Sequence, residues 1–273
     1  MPQLFSTSRF PSPFSTAFPT RDSVVAALRA AGCVFAEDEA ELLLDATRTA
    51  EELTVLVDRR VTGLPLELVL GWAEFRGLRI AVAPGVFVPR RRTEFLVTEA
   101  LAQAPDAAVV VDLCCGSGAV GAALAAALDR PEVHAADVDP AAVCCARGNL
   151  ADAGGRVYAG DLFAPLPAAL RGRVDVLAAN VPYVPTGEVA LLPAEARDHE
   201  PLVALDGGTD GLEVLRRVAT EAPRWLAPGG CLLVETSERQ APAAVEAFTR
   251  AGLTPRLAVC EELYAHVVIG VRE

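Results

Sequence analysis

Between Val109 and Gly121 the chain runs from an apolar pentapeptide, Val109-Val110-Val111-Asp112-Leu113, through Cys114-Cys115-Gly116-Ser117-Gly118 into an alanine-rich stretch reaching about Leu128. A continuous apolar run of that length reads as a strand buried on both faces, and the stretch after the glycines reads as a helix. Glycine at 116 and 118 permits tight backbone and close approach of a ligand, and Gly121 permits close helix packing, which is the pattern G-x-G-x-x-G. A strand, a glycine turn and a helix in this order commit the chain to an α/β fold around a mostly parallel sheet.

Three more apolar runs end in polar residues. The run 133–136 ends at Asp137-Val138-Asp139-Pro140, the run 157–159 at Gly160-Asp161-Leu162-Phe163, and the run 174–179 at Asn180-Val181-Pro182-Tyr183. Open α/β sheets bind ligands in the crevice outside the carboxyl ends of their strands, so these residues mark the expected site. Asp137 can accept both hydroxyl hydrogens of a ribose, which NAD and S-adenosylmethionine both carry. Asp112 can answer a cationic amino acid moiety but would repel a pyrophosphate. Asp161 with its apolar neighbour Leu162 suits an adenine amino group and ring. Strand ends in chain order thus offer methionine, ribose, adenine and acceptor contacts, the layout of a class I S-adenosylmethionine-dependent methyltransferase. Other readings stay open residue by residue: Asn180 also suits capping of the next turn, Asp112 and Asp137 suit loop caps, and Asp161 suits a helix cap. A dinucleotide-binding oxidoreductase rests on the glycine pattern alone.

With these motifs goes Phe87-Val88-Pro89-Arg90-Arg91-Arg92-Thr93-Glu94, then His199-Glu200-Pro201-Leu202-Val203-Ala204-Leu205 and Asp206-Gly207-Gly208-Thr209-Asp210-Gly211-Leu212. In that order, over most of the chain, the segments resemble the HemK/PrmC-type protein-(glutamine-N5) methyltransferases. The resemblance implies transfer of a methyl group from S-adenosylmethionine, leaving S-adenosylhomocysteine, to the side-chain amide nitrogen of a glutamine in a protein. It implies a catalytic set of Asn180, Val181, Pro182 and Tyr183. Cofactor contacts are expected from Asp112, Cys114, Cys115, Gly116, Ser117, Gly118, Asp137, Val138, Asp161, Leu162 and Asn180, with pocket support from Arg90, Thr93, Glu200 and Pro201. Two positions depart from the family pattern. Its Asn-Pro-Pro-Tyr is Asn-Val-Pro-Tyr here, which keeps the backbone carbonyl of Val181 that the family is thought to use, and Cys114 stands for the first glycine of the cofactor turn. The departures resemble a sub-branch whose protein substrate need not be a release factor, and bear on substrate identity more than on reaction type; the substrate expected is a release factor, a ribosomal protein or another translation-related protein. A methyltransferase acting on another amino or amide nitrogen, such as adenine in nucleic acid, is the alternative.

At 273 residues with 52% hydrophobic residues, the chain has room for a full α/β domain and a smaller one. With 24 Lys and Arg against 36 Asp and Glu, the net charge of −12 disfavours nucleic acid as a direct substrate. The seven cysteines form no C-x-x-C pair, which fits reduced thiols in a cytoplasm. A thiolate at Cys114 or Cys115 is expected to be favoured by the helix that follows. The three histidines have no metal-ligand spacing, and no metal is expected. No signal peptide or membrane-spanning run is expected. The expected organisation is a loose arm at 1–20 carrying Phe5, Phe10, Phe14 and Phe18, then a helical substrate-recognition domain at 21–70 with helices at 22–31, 36–48 and 50–61. A linking hairpin at 71–88, with strands 72–80 and 82–88 around Gly77, leads to the methyltransferase domain at 89–273. Within that domain the long segment 184–211 is a candidate lid or substrate wall.

Overall fold

The computed structural model describes residues 19–273, so the expected arm at 1–20 lies almost wholly outside the described residues. The chain divides into two compact units, one ending at Leu70 and one spanning Gly71–Glu273.

The first unit holds α1 (Arg21–Ala30), α2 (Ala36–Asp45), α3 (Ala50–Val61) and the short α4 (Leu66–Leu70). Local chemistry starts two of these helices. Thr20 caps α1 by accepting from the Ser23 N–H, and Thr49 and Glu52 form a reciprocal capping box at α3. Val24, Leu28, Leu43, Leu53 and Val57 recur at helical spacing and close one apolar cluster. A nearly buried pair, Arg60 Nε to Glu39 Oε2 at 2.6 Å, fixes α3 against α2. Removing one partner would strand a buried charge.

The second unit opens with a hairpin of β1 (Trp72–Phe75) and β2 (Leu78–Ala81), shorter than expected. Residues 82–88 are not a strand, because Pro84 cannot donate to a ladder and a turn closes from the Val86 N–H to the Ala83 carbonyl. Then come α5 (Glu94–Gln103), β3 (Val109–Leu113), α6 (Ala119–Ala127), β4 (Glu132–Asp137), α7 (Pro140–Asn149), β5 (Arg156–Ala159) and β6 (Val174–Ala179). The segment 184–211 contains the helical turns α8 (Ala194–His199) and α9 (Leu202–Leu205). The chain closes with α10 (Glu213–Glu221), β7 (Leu226–Thr236), α11 (Ala241–Arg250), β8 (Thr254–Cys260) and β9 (Ala265–Val271).

The main sheet has the order β5-β4-β3-β6-β7-β9-β8, and β9 alone runs against the others. Successive residues of β3 point to opposite faces. Val109, Val111 and Leu113 join the cluster that holds Leu215, Val218 and Phe248 of α10 and α11. Val110 faces the opposite cluster, with Leu96, Val97 and Leu124 of α5 and α6. Each large aliphatic side chain so buried contributes about 1.5–3 kcal/mol. Strand order reverses between β3 and β6, and the carboxyl ends of these two strands flank the crevice where such sheets bind ligands. The seven cysteines are unbridged. No helix among the described residues is long and apolar enough to cross a membrane.

Candidate active site

A cavity of about 920 Å³ opens at the carboxyl ends of β3, β4, β5 and β6. It brings together Asp112, Cys114, Cys115, Gly116 and Ser117 from the glycine turn, Asp137 and Val138 after β4, and Asp161 and Leu162 after β5. Asn180, Val181, Pro182 and Tyr183 form one side, and Arg90, Thr93, Glu200 and Pro201 also line it. Of the residues expected at the site, Gly118 alone is not in the lining. A Cβ at Gly118 would lie 3.1 Å from the Ala146 Cβ on α7, so this glycine, with φ +79°, lets the turn pack closely on that helix. Gly116 has open space where its Cβ would stand, as a backbone passing close to a ligand requires.

The geometry of each carboxylate follows from its strand. Asp112 shares the face of β3 that packs on α6, and its Oδ2 accepts the Gly121 N–H at 2.9 Å. Burial, with some help from Asp137, pushes the Asp112 carboxyl up to about 7, while the Gly121 bond pulls the other way. Asp137 accepts from the Gly116 N–H at 2.8 Å and the Asp139 N–H at 2.9 Å, so it shapes the glycine turn as well as lining the cavity. Burial holds its carboxyl above the usual range against those two bonds. Asp161 pairs with Arg217 of α10, which also lines the cavity. Asn149 braces the turn from behind by donating to the Ser117 carbonyl at 2.8 Å.

The thiolate expectation is overturned. Burial pushes the Cys114 and Cys115 thiols well up, and the charges of Asp112 and Asp137 add to it. Desolvation and two adjacent carboxylates outweigh the helix N-terminus, so both cysteines act as small apolar side chains. Cys114 also sits at φ +52° where the family pattern has glycine, and Leu162 at φ +47°; strained backbone of this kind gathers at functional sites.

Beside Asn180 and Tyr183 lies a hydrogen-bonded cluster around Glu235, a residue not among those expected at the site. Glu235, buried near the end of β7, accepts from Arg92 Nε at 2.9 Å and from the Thr93 hydroxyl at 2.6 Å. Arg92 also donates to the Tyr183 hydroxyl, which itself reaches Glu235 Oε1 at 3.5 Å. The Asn180 side-chain amide donates to Thr93 Oγ1 at 3.4 Å. Burial first, then the charge of Glu235, pushes the Tyr183 hydroxyl up to about 12, so it stays neutral at working pH. Glu235 was findable: β6 pairs β7 with Ala179 beside Val234, and one residue further on stand Asn180 and Glu235.

Main-chain bonds seat this turn. The Val184 N–H donates to the Leu205 carbonyl at 3.0 Å and the Gly207 N–H to the Val184 carbonyl at 2.8 Å. Gln240, a buried amide, donates to the Tyr183 carbonyl at 2.9 Å and the Asp210 carbonyl at 3.0 Å, and accepts from the Ser237 hydroxyl. Glu200 links the 184–211 segment to the residues before α5 by accepting from Arg90 and from the Val88 N–H at 3.4 Å. Among the described residues, no N–H or O–H donates to Asn180 Oδ1 or to the Val181 carbonyl.

A mostly parallel seven-stranded sheet with β9 reversed, and a cavity joining a glycine turn to carboxylates on successive strand ends, define a class I S-adenosylmethionine-dependent methyltransferase. Residues 77–194 match the methyltransferase small domain family. The release factor glutamine methyltransferase of Geobacter sulfurreducens is 42% identical over 72% of this chain and 69% of its own length. That of Mycolicibacterium smegmatis is 44% identical over 72% of this chain and 70% of its own. A 4-amino-L-phenylalanine/4-methylamino-L-phenylalanine methyltransferase of Streptomyces pristinaespiralis is 39% identical over 71% and 68%. Among solved structures, a methyltransferase from Pyrococcus furiosus shares the fold, with a TM-score of 0.54 and 19% identity over 72% of this chain and 90% of that one. The chain belongs to the family of release factor glutamine methyltransferases. S-adenosylmethionine is its methyl donor, and the oxidoreductase reading is set aside.

Proposed function

We propose that this protein methylates the side-chain amide nitrogen of a glutamine in a protein substrate, with a release factor as the first candidate and a ribosomal protein as the second. The observation that carries this is the pair of acceptors at the end of β6, the Asn180 side-chain oxygen and the Val181 carbonyl, which belong to residues lining the cavity and accept from no donor among the described residues. An amide nitrogen is a poor nucleophile because its lone pair is delocalised into the carbonyl. Accepting both of its hydrogens at those two oxygens returns electron density to nitrogen and aims it into the cavity. When bound, S-adenosylmethionine supplies an electrophilic methyl on a sulfonium. Tyr183, held neutral, offers a ring face to the amide plane and takes no proton. The proton leaves after transfer, since an N-protonated amide is strongly acidic, and no general base is needed. The helical unit at 21–70 is the proposed contact for the substrate protein.

The proposed test incubates the purified protein with methyl-labelled S-adenosylmethionine and a release factor, a ribosomal protein or 4-amino-L-phenylalanine, then maps the label by peptide mass spectrometry. Label on one glutamine side chain is the expected result. Label on the aromatic amine, or on adenine of added nucleic acid, would overturn the reading.

Asp112 is proposed to meet the cationic amino group of the cofactor, which favours its ionised form. Because the free carboxyl is held at about 7, binding at lower pH must first expel a proton. Calorimetry should show S-adenosylhomocysteine affinity falling as pH drops from about 8 to about 6, by up to tenfold per unit below 7. Asp112→Asn should flatten that dependence. In the unliganded protein the shift has the opposite consequence: the folded state keeps this proton longer than the unfolded chain, so its contribution lowers stability as pH rises from about 4 to about 7.

A further inference from the structure

Asn180 can serve the acceptor only if its oxygen, rather than its NH2 group, faces the cavity, and nothing in its own side chain makes that choice. The choice is traceable to β7. Glu235 is buried and ion-paired to Arg92, so its carboxylate only accepts hydrogen bonds. Thr93 is also buried and has a single hydroxyl proton, which is committed to Glu235 Oε2 at 2.6 Å. The Thr93 oxygen therefore turns lone pairs toward Asn180 and can be met there only by an N–H. That is the arrangement found, with Asn180 Nδ2 donating to Thr93 Oγ1 at 3.4 Å. With the NH2 group so engaged, Oδ1 is left for the acceptor.

We infer that Glu235 is a positioning residue that sets the orientation of the Asn180 amide through the Thr93 hydroxyl. The inference rests on the proposed role of Asn180 and deepens it. A glutamine at 235 could donate to Thr93, release its proton toward Asn180 Oδ1, and let the Asn180 amide turn over. A buried carboxylate here thus fixes polarity along the chain Glu235, Thr93, Asn180, which a neutral amide of the same shape does not.

The test uses the full-length protein, glutamine methylation of the substrate protein as activity, and calorimetric binding of S-adenosylhomocysteine as a check on the folded site. Glu235→Gln and Thr93→Val are each expected to lower kcat by at least about tenfold with cofactor affinity within about twofold of wild type. Thr93→Ser, which keeps the hydroxyl, should retain most of the turnover. Thr93→Val placed on Asn180→Ala should cost nothing more than Asn180→Ala alone, because both act through one amide. If Glu235→Gln loses cofactor binding through misfolding, the Thr93 pair decides. Wild-type kcat in Thr93→Val with Asn180→Ala impaired, or losses that multiply in the double variant, would overturn the relay and leave the acceptor reading standing. Wild-type kcat in Asn180→Ala would instead remove the acceptor reading itself.

Discussion

Asn180→Ala is expected to lower turnover on the substrate protein by about 10²-fold or more, the scale for losing one well-placed polar group in a reacting site. Its cofactor affinity should change little, since the cavity also draws on Asp112, Asp137 and the glycine turn. Steady-state kinetics alongside S-adenosylhomocysteine titration separates the two effects. Asn180→Asp keeps an acceptor oxygen but has no N–H to give Thr93, whose proton is already held by Glu235. It should therefore fall between wild type and the alanine variant. Turnover at wild-type level in Asn180→Ala would leave this residue as a turn cap.

The second large effect is expected at Gly211, whose backbone has φ +74° and whose added Cβ would collide with the Tyr183 carbonyl oxygen and the Gln240 amide. That carbonyl is main chain of the acceptor turn and is itself held by Gln240, so it cannot swing aside as a flexible side chain would. Left-handed strain of about 1–2 kcal/mol and overpacking of about 1–3 kcal/mol together predict a loss of about 2–5 kcal/mol in denaturant unfolding for Gly211→Ala. Turnover should also drop, because the seat of the Val181 carbonyl shifts with Tyr183. Gly252→Ala is the control. It shares the backbone region, at φ +80°, but meets nothing within 4 Å, and so bears strain alone. Equal costs at the two positions would mean that the acceptor turn is not tightly seated.

The strand-end rule points to Asp112, Asp137, Asp161 and Asn180 because each stands at or just past the carboxyl end of an apolar strand, and parallel strands bring those ends to one edge of the sheet. The same rule would have found Glu235 had the neighbour of β6 been known. That neighbour is β7, about 50 residues further along the chain, and its place beside β6 is a property of sheet order that periodicity does not carry. Gln240, buried in the turn before α11, and Arg217, on α10, are not legible for a related reason: the role of each depends on which loop or strand end packs against it. The motif spacing of Gly118 suggests a ligand contact, and its close packing against Ala146 is a feature that spacing does not carry.

The sequence by itself determined the class of fold, the order of the functional strand ends, and the chemistry offered at each, since these depend on local apolar runs and on residue types at their limits. Only the tertiary structure decided protonation and orientation. The Cys114 and Cys115 thiols are pushed up because Asp112, Asp137 and the core surround them, and local helix geometry is the weaker influence. The face proposed for the Asn180 amide depends on buried Thr93 and Glu235, drawn from two distant segments, because the Thr93 hydroxyl proton is held by Glu235, which exposed Arg92 pairs from the solvent side.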